Sequence, residues 1–207
     1  MSSPTKIQAA ATDRQQALDF AQTYLDQLCT ALRGLPLSPI VEAIDALTQA
    51  HTERRCVFLI GNGGSASTAS HMANDLAKTA AGQDGGQGFR VIALTDNVPL
   101  LTAWANDASY DEVFARPLQG LAQPGDVLIA ISGSGNSRNI IQAVQAAKAL
   151  GLTTIGLLGR GGGAVRTLVD IAIEVPSHDY GPIEDAHLAI NHLLTAYFRH
   201  TLARRHV

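Results

Sequence analysis

Residues 58–76 read FLIGNGGSASTASHMANDL: an apolar run stops in Gly61-Asn62-Gly63-Gly64-Ser65 and passes at once into a helical pattern. Strand, glycine turn and helix in direct succession leave few folds open. They open a layered α/β unit whose strands are covered on both faces. The turn also has a chemical meaning, because backbone N–H groups at a helix start, helped by the macrodipole, form an anion site. One turn further on, His71 and Asp75 stand four apart and share a helix face.

The rest of the chain repeats the pattern. Five apolar runs, at 57–60, 91–94, 127–131, 153–158 and 171–175, predict buried strands. Helical patterns at 65–79, 98–105, 138–150 and 164–168 separate most of them, the signature of a parallel sheet. Two amphipathic helices come first: 15–32, with Leu18, Ala21, Leu25, Leu28 and Leu32, and 39–52, with Ile40, Ile44 and Leu47. Residues 1–12 read as frayed, 81–88 (AGQDGGQG) as a mobile loop, and 183–202 as a long final helix. In open parallel sheets, ligands bind beyond the carboxyl ends of the strands. There the chain places Gly61–Ser65, Ser132-Gly-Ser-Gly-Asn-Ser137 and Gly159-Arg-Gly-Gly-Gly163, all small, polar and flexible.

Bulk properties narrow the function classes. A length of 207 residues suits one domain with a full core. A net charge of -3 carries no nucleic-acid footprint. Cys29 and Cys56 lack metal-site or disulfide-framework spacing, which fits a reducing compartment. With no apolar run of membrane length and no apolar signal core at the N-terminus, the expectation is a cytoplasmic protein with no membrane partner.

Each motif has a plain and a chemical reading. Gly61-x-Gly63-x-x-Ala66 matches the dinucleotide fingerprint loosely, but Asp84 falls in the Gly-rich stretch and not at the end of a second strand. The turn is either a tight bend or a ligand loop to which Asn62 and Ser65 add side-chain donors. A cap accounts for one residue of Ser132–Ser137. Three hydroxyls and an amide in six positions suit phosphate held without Lys or Arg. The His71/Asp75 pair is either surface packing or a metal or proton-transfer pair. Glu184, Asp185, His187 and His192 crowd the final helix, so two His/carboxylate clusters read as one divided site. Asn106-Asp107 is either a helix end or a ligand contact, and Arg160 either a surface cation or an anion contact.

Together these residues resemble the sugar isomerase (SIS) domain family, and within it the sedoheptulose 7-phosphate (phosphoheptose) isomerases. The resemblance rests on G61-N-G-G-S65 with His71, N106-D107, S132-x-S-G-N-S137 and E184-D-x-H…H192, and runs over nearly the whole chain. It implies a flavodoxin- or Rossmann-like three-layer αβα sandwich with a five-stranded parallel sheet, two N-terminal helices and a long C-terminal helix. One SIS domain would span 1–207, with helices in 1–52 and the α/β core and last helix in 56–207. It implies a homotetramer with sites between subunits. Asn62, Gly63, Gly64 and Ser65 would line the sugar-phosphate site. Ser132, Gly133, Ser134 and Ser137 would form the phosphate loop, and Asn106 and Asp107 would contact the sugar. Zinc would be held by His71, Asp75, Glu184 and His192, with Asp75 and His192 also transferring protons.

Three departures from the family pattern stand out. Asp75 replaces a Glu, which draws the carboxylate back by about 1.5 Å. Glu184 replaces a Gln and adds a carboxylate; Gly133 replaces a Thr and removes a hydroxyl. The first two either compensate one another or, with the third, mark a related sugar phosphate. The implied reaction is aldose–ketose isomerisation of a heptose 7-phosphate through an enediol, in nucleotide-activated heptose biosynthesis. The alternative is a non-catalytic SIS protein that binds phosphosugars or regulates replication initiation. Such members lack the acid–base residue, and Asp75 and His192 therefore favour an enzyme. A nicotinamide-dependent oxidoreductase is the remaining alternative. All of this requires the first glycine-loop helix and the last helix to meet.

Overall fold

A computed structural model describes residues 4–81 and 87–203. Five strands, β1 (Cys56–Gly61), β2 (Arg90–Ala93), β3 (Val127–Ser132), β4 (Thr153–Leu158) and β5 (Ile171–Glu174), form one parallel sheet in the order β2-β1-β3-β4-β5. The order reverses between β1 and β3. That is the topological switch point where a crevice opens at the carboxyl ends of the strands.

The strands are apolar on both faces, and alternation splits the core in two. Val57, Leu59, Val127, Ile129 and Ile131 face one side; Phe58, Ile60, Leu128 and Ala130 face the other. Helices α2 (Leu37–Thr52), α3 (Gly64–Asn74) and α7 (Tyr180–Ala203) cover the first side with Leu47, Met72, Ile190 and Phe198. Helices α5 (Ala115–Leu121) and α6 (Arg138–Ala149) cover the second. In α6, Ile140, Ala143, Val144 and Ala147 fall at i, i+3, i+4 and i+7, and all are buried. The result is the expected three-layer αβα sandwich. Helix α1 (Pro4–Arg33) lies along α7, and Tyr24 ties the two by donating to Asp185 Oδ2 at 2.6 Å.

Several expectations need correction. Helix α1 begins at Pro4 and not near residue 15. Pro is tolerated at a first helical position, and Ala9, Ala10 and Ala11 are strong helix formers. Helix α5 was not foreseen because Pro117 and Gly120 argue against a helix; Pro117 sits in its first turn, where no N–H bond is lost. The pattern at 164–168 is only a 3₁₀ turn, Ala164–Thr167. The pattern at 65–79 is α-helical as far as Asn74 and then becomes a π turn, Asp75–Thr79, in which Ala80 N–H reaches Asp75 O at 2.8 Å. Helix α4 (Val98–Asp107) follows β2, capped by Asn97 Oδ1 on Leu100 N–H at 3.1 Å. Residues 82–86, part of the expected mobile loop, lie outside the described residues.

Candidate active site

The first glycine turn is tight for a steric reason. A Cβ on Gly61 would lie 2.5 Å from Ser65 O, and Gly63 adopts φ 55. Asn62 and Asn139 exchange amide hydrogen bonds of 2.9 and 2.8 Å, and Tyr110 donates to Asn62 Oδ1 at 3.1 Å. The Asn62 side chain therefore braces α6 against the turn as well as lining the pocket behind it. That pocket, about 140 Å³, is lined by Asn62, Ser65, Ser132, Gly133, Ser134 and Ser137, with Tyr180 and Glu184 across from them. Its hydroxyls and backbone N–H groups suit a phosphoryl group. Helices α3, α6 and α7 all start at its wall, so three positive helix ends converge there.

The serine loop divides its labour. Ser132 Oγ accepts from Gly135 N–H at 3.0 Å and Ser134 Oγ from Asn136 N–H at 3.2 Å, which shapes the loop. Asn136 is exposed and bonded to the neighbouring glycine loop through Ala164 N–H at 3.0 Å. Ser137 precedes α6 but makes no side-chain capping bond, which leaves its hydroxyl to the pocket.

The second half of the site lies further along the same two helices. His71 Nε2 stands 3.3 Å from Asp75 Oδ2, His192 Nε2 stands 3.8 Å from it, and the two imidazole nitrogens are 3.4 Å apart. Asp75 is 7% exposed while both histidines open to solvent. Donors held about 2.0–2.1 Å from a tetrahedral ion lie roughly 3.3 Å from one another, so this spacing already suits a small cation. Thr79 donates to Asp75 Oδ1 at 3.4 Å and Asn191 to Asp75 Oδ2 at 2.9 Å.

Known proteins resemble this chain in sequence and in fold. Residues 22–159 match the SIS domain family. The chain belongs to the SIS domain family. It is 39% identical to a phosphoheptose isomerase of Geotalea daltonii over 162 residues, 78% of this chain and 83% of that protein. Its SIS fold superposes on the phosphoheptose isomerase of Neisseria gonorrhoeae with a TM-score of 0.80 at 30% identity, covering 92% of this chain and all of that one. For the Francisella tularensis phosphoheptose isomerase the TM-score is 0.83 at 29% identity, over 89% and 99% of the two chains.

Other residues of the SIS domain fall in different places. Glu184 lies in the serine-loop pocket with its carboxylate against Gly64, where a Cβ would meet both oxygens at 2.7 Å. The three donors that gather within 4.8 Å are His71, Asp75 and His192, without it. Asn106 and Asp107 end α4, exposed and bonded to each other at 2.8 Å, outside the pocket lining. Arg160, at φ 51, stacks 5.1 Å above the Tyr180 ring and so borders the pocket through that ring. His187 turns into the core, 1% exposed, and neither ring nitrogen makes a well-formed hydrogen bond. Burial pushes its pKa down to about 4, against a small opposing pull from the Leu158 backbone. Cys56 is likewise buried, its thiol pushed up to about 11 by desolvation and then by Asp126. No described helix is long and apolar enough to cross a membrane.

Sequence reasoning missed Tyr180, Asn139, Asn191 and Thr195. One signal was available for Asn191: with His187 and Thr195 it makes a polar row at four-residue spacing beside the apolar Ile183, Ile190, Leu194 and Phe198.

Proposed function

We propose that this protein is an aldose–ketose isomerase that interconverts sedoheptulose 7-phosphate and a D-glycero-D-manno-heptose 7-phosphate, a step toward nucleotide-activated heptose. The observation that carries the reading is the meeting of His71, Asp75 and His192 on the two helices whose N-terminal ends border the phosphate pocket. Glu184 and His192 are eight residues apart on α7, roughly 12 Å by helical rise. An extended seven-carbon sugar phosphate covers a comparable length. The phosphate then sits on Ser132, Ser134, Ser137 and the Asn62–Ser65 turn, with C1 and C2 near Asp75.

Asp75 moves the proton between C1 and C2, and His192 moves protons on the two oxygens. The donor set, two imidazoles and a carboxylate at near-tetrahedral spacing, fits zinc with a position left open. Zinc bound there would polarise the carbonyl and hydroxyl as a Lewis acid. Glu184 joins these ligands only if its side chain swings away from Gly64. We further read the chain as one cytoplasmic SIS unit that assembles as a homotetramer. Exposed Leu18, Phe20 and Leu25 on α1 favour such assembly. In an assembly with sites between subunits, Asn106 and Asp107 contact sugar held by a neighbour.

A phosphosugar-binding or replication-regulating protein without catalysis would not need a buried carboxylate between two histidines. The test is NMR of sedoheptulose 7-phosphate incubated with zinc-loaded protein in D₂O. Product with deuterium at C2 is expected. Tight binding of the sugar with neither turnover nor exchange would favour the non-catalytic alternative and overturn the isomerase.

A further inference from the structure

Asn191 is fully buried on α7, immediately before His192. Ile183, Ala186, Ile190, Leu194 and Phe198 of the same helix are buried and apolar. An amide among such neighbours is costly unless its hydrogen bonds are made. Asn191 makes two. Its Nδ2 donates to Asp75 Oδ2 at 2.9 Å, and its Oδ1 accepts from Thr195, one turn on, at 3.4 Å. The first bond crosses from α7 to the residue where α3 gives way to the π turn.

We infer that Asn191 is the positioning residue for the acid–base carboxylate, an inference that rests on Asp75 being the base. The contacts to Asp75 divide unequally between its oxygens. Oδ2 faces Asn191, His71 and His192, at 2.9, 3.3 and 3.8 Å. Among the described residues Oδ1 has one long contact, with Thr79 at 3.4 Å. Without Asn191 the carboxylate could rotate and exchange the two roles. With it, Oδ2 is committed to the histidine side and Oδ1 remains the oxygen that takes the carbon-bound proton. An amide does this without bringing a second charge to the carboxylate. Thr195 in turn orients the amide so that its NH₂, not its carbonyl, faces Asp75.

The inference requires a specific split in the kinetics. Asn191→Leu keeps the heavy-atom count and branching of the side chain but is bulkier, so its melting temperature is measured beside its kinetics. The variant is expected to lose 10- to 100-fold in kcat, with KM for the sugar phosphate within about twofold, since a misplaced base costs on this scale. Zinc affinity of the metal-free protein, read by competition with a chromogenic chelator, is expected to weaken about tenfold, as for other partners of ligating carboxylates. Asn191→Ser, which is shorter and retains a hydroxyl, gives the same comparison if the Leu variant is insoluble. Asp75→Asn serves as the control. Full activity in Asp75→Asn overturns the base assignment itself. An inactive Asp75→Asn beside an Asn191 variant with unchanged kcat and zinc affinity overturns the positioning role alone. A matched loss of kcat, KM and melting temperature would mark Asn191 as merely structural and also overturn it.

Discussion

A Cβ on Gly133 would lie 3.0 Å from both Cδ1 and Cε1 of Tyr180, so the two residues compete for one volume in the serine-loop pocket. The resemblance to the phosphoheptose isomerases implies Thr at this position, and here the aromatic ring fills the room its side chain would need. Gly133→Thr should displace the ring and raise KM for the sugar phosphate about tenfold, with a smaller change in kcat. Adding Tyr180→Ala should recover most of the loss. Steady-state kinetics on the two single variants and the double variant give the coupling directly.

Asp75→Asn preserves shape and can still accept from Asn191, but it cannot take a proton. We expect kcat to fall about a thousandfold or more, within the range for loss of a general base. The melting temperature should stay within a few degrees of the parent. A rate near that of the parent would remove Asp75 from the reaction.

His71 belongs to the donor cluster and does not line the serine-loop pocket. His71→Ala should reduce bound zinc, measured by elemental analysis, and lower activity, while affinity for inorganic phosphate stays unchanged. Chelator treatment of the parent protein should remove activity that added zinc restores. Activity that persists in fully metal-free protein would exclude the zinc reading.

His187 provides a pH test that is independent of catalysis. Its pKa falls from 6.5 to about 4 on folding, chiefly through burial. The unfolded chain therefore binds more protons between these values. Stability should decline as pH drops from about 6.5 toward 4, by up to about 3 kcal/mol, and this contribution should level off below that. His187→Phe should flatten the slope. Denaturant titrations at a series of pH values measure it, and an unchanged slope in the variant would assign the effect to another group.

Phe20 is 74% exposed on α1, with Leu18 and Leu25 also open to solvent. Such side chains on one helix are costly to leave wet in a monomer. Phe20→Glu should shift the assembly to smaller species in light scattering, with activity lost in parallel if sites are shared between subunits. An unchanged mass would place the contact elsewhere.

The sheet was legible in the sequence because β1, β3 and β4 are buried on both faces and so appear as unbroken apolar runs. The glycine turn and serine loop were legible because a parallel sheet puts its ligand loops at the carboxyl ends of strands. Pairing of Asp75 with His192 followed from neither, since 117 residues separate them and no periodicity reports a distance. Tyr180 was hidden in a stretch that reads as a linker before the expected helix at 183. Glu184 shows the opposite failure: its place on α7 was foreseen, but the direction of its side chain, toward Gly64, is set by the missing Cβ there. The π turn at Asp75 also left no mark in the residue pattern, since Leu76 and Ala80 remain buried as an ordinary helix would have them.

The division of the centre between α3 and α7 has a consequence for synthesis on the ribosome. A nascent chain that has emerged as far as β5 already carries the serine loop and the first turn, yet the pocket lacks Tyr180 and Glu184, and Asp75 has neither its amide nor its second imidazole. Competence arrives with the last helix. Chains truncated or clipped before it lack Tyr180 and Glu184 of the pocket and the core side chains Ile190, Leu194 and Phe198, so turnover would report on fully folded molecules alone.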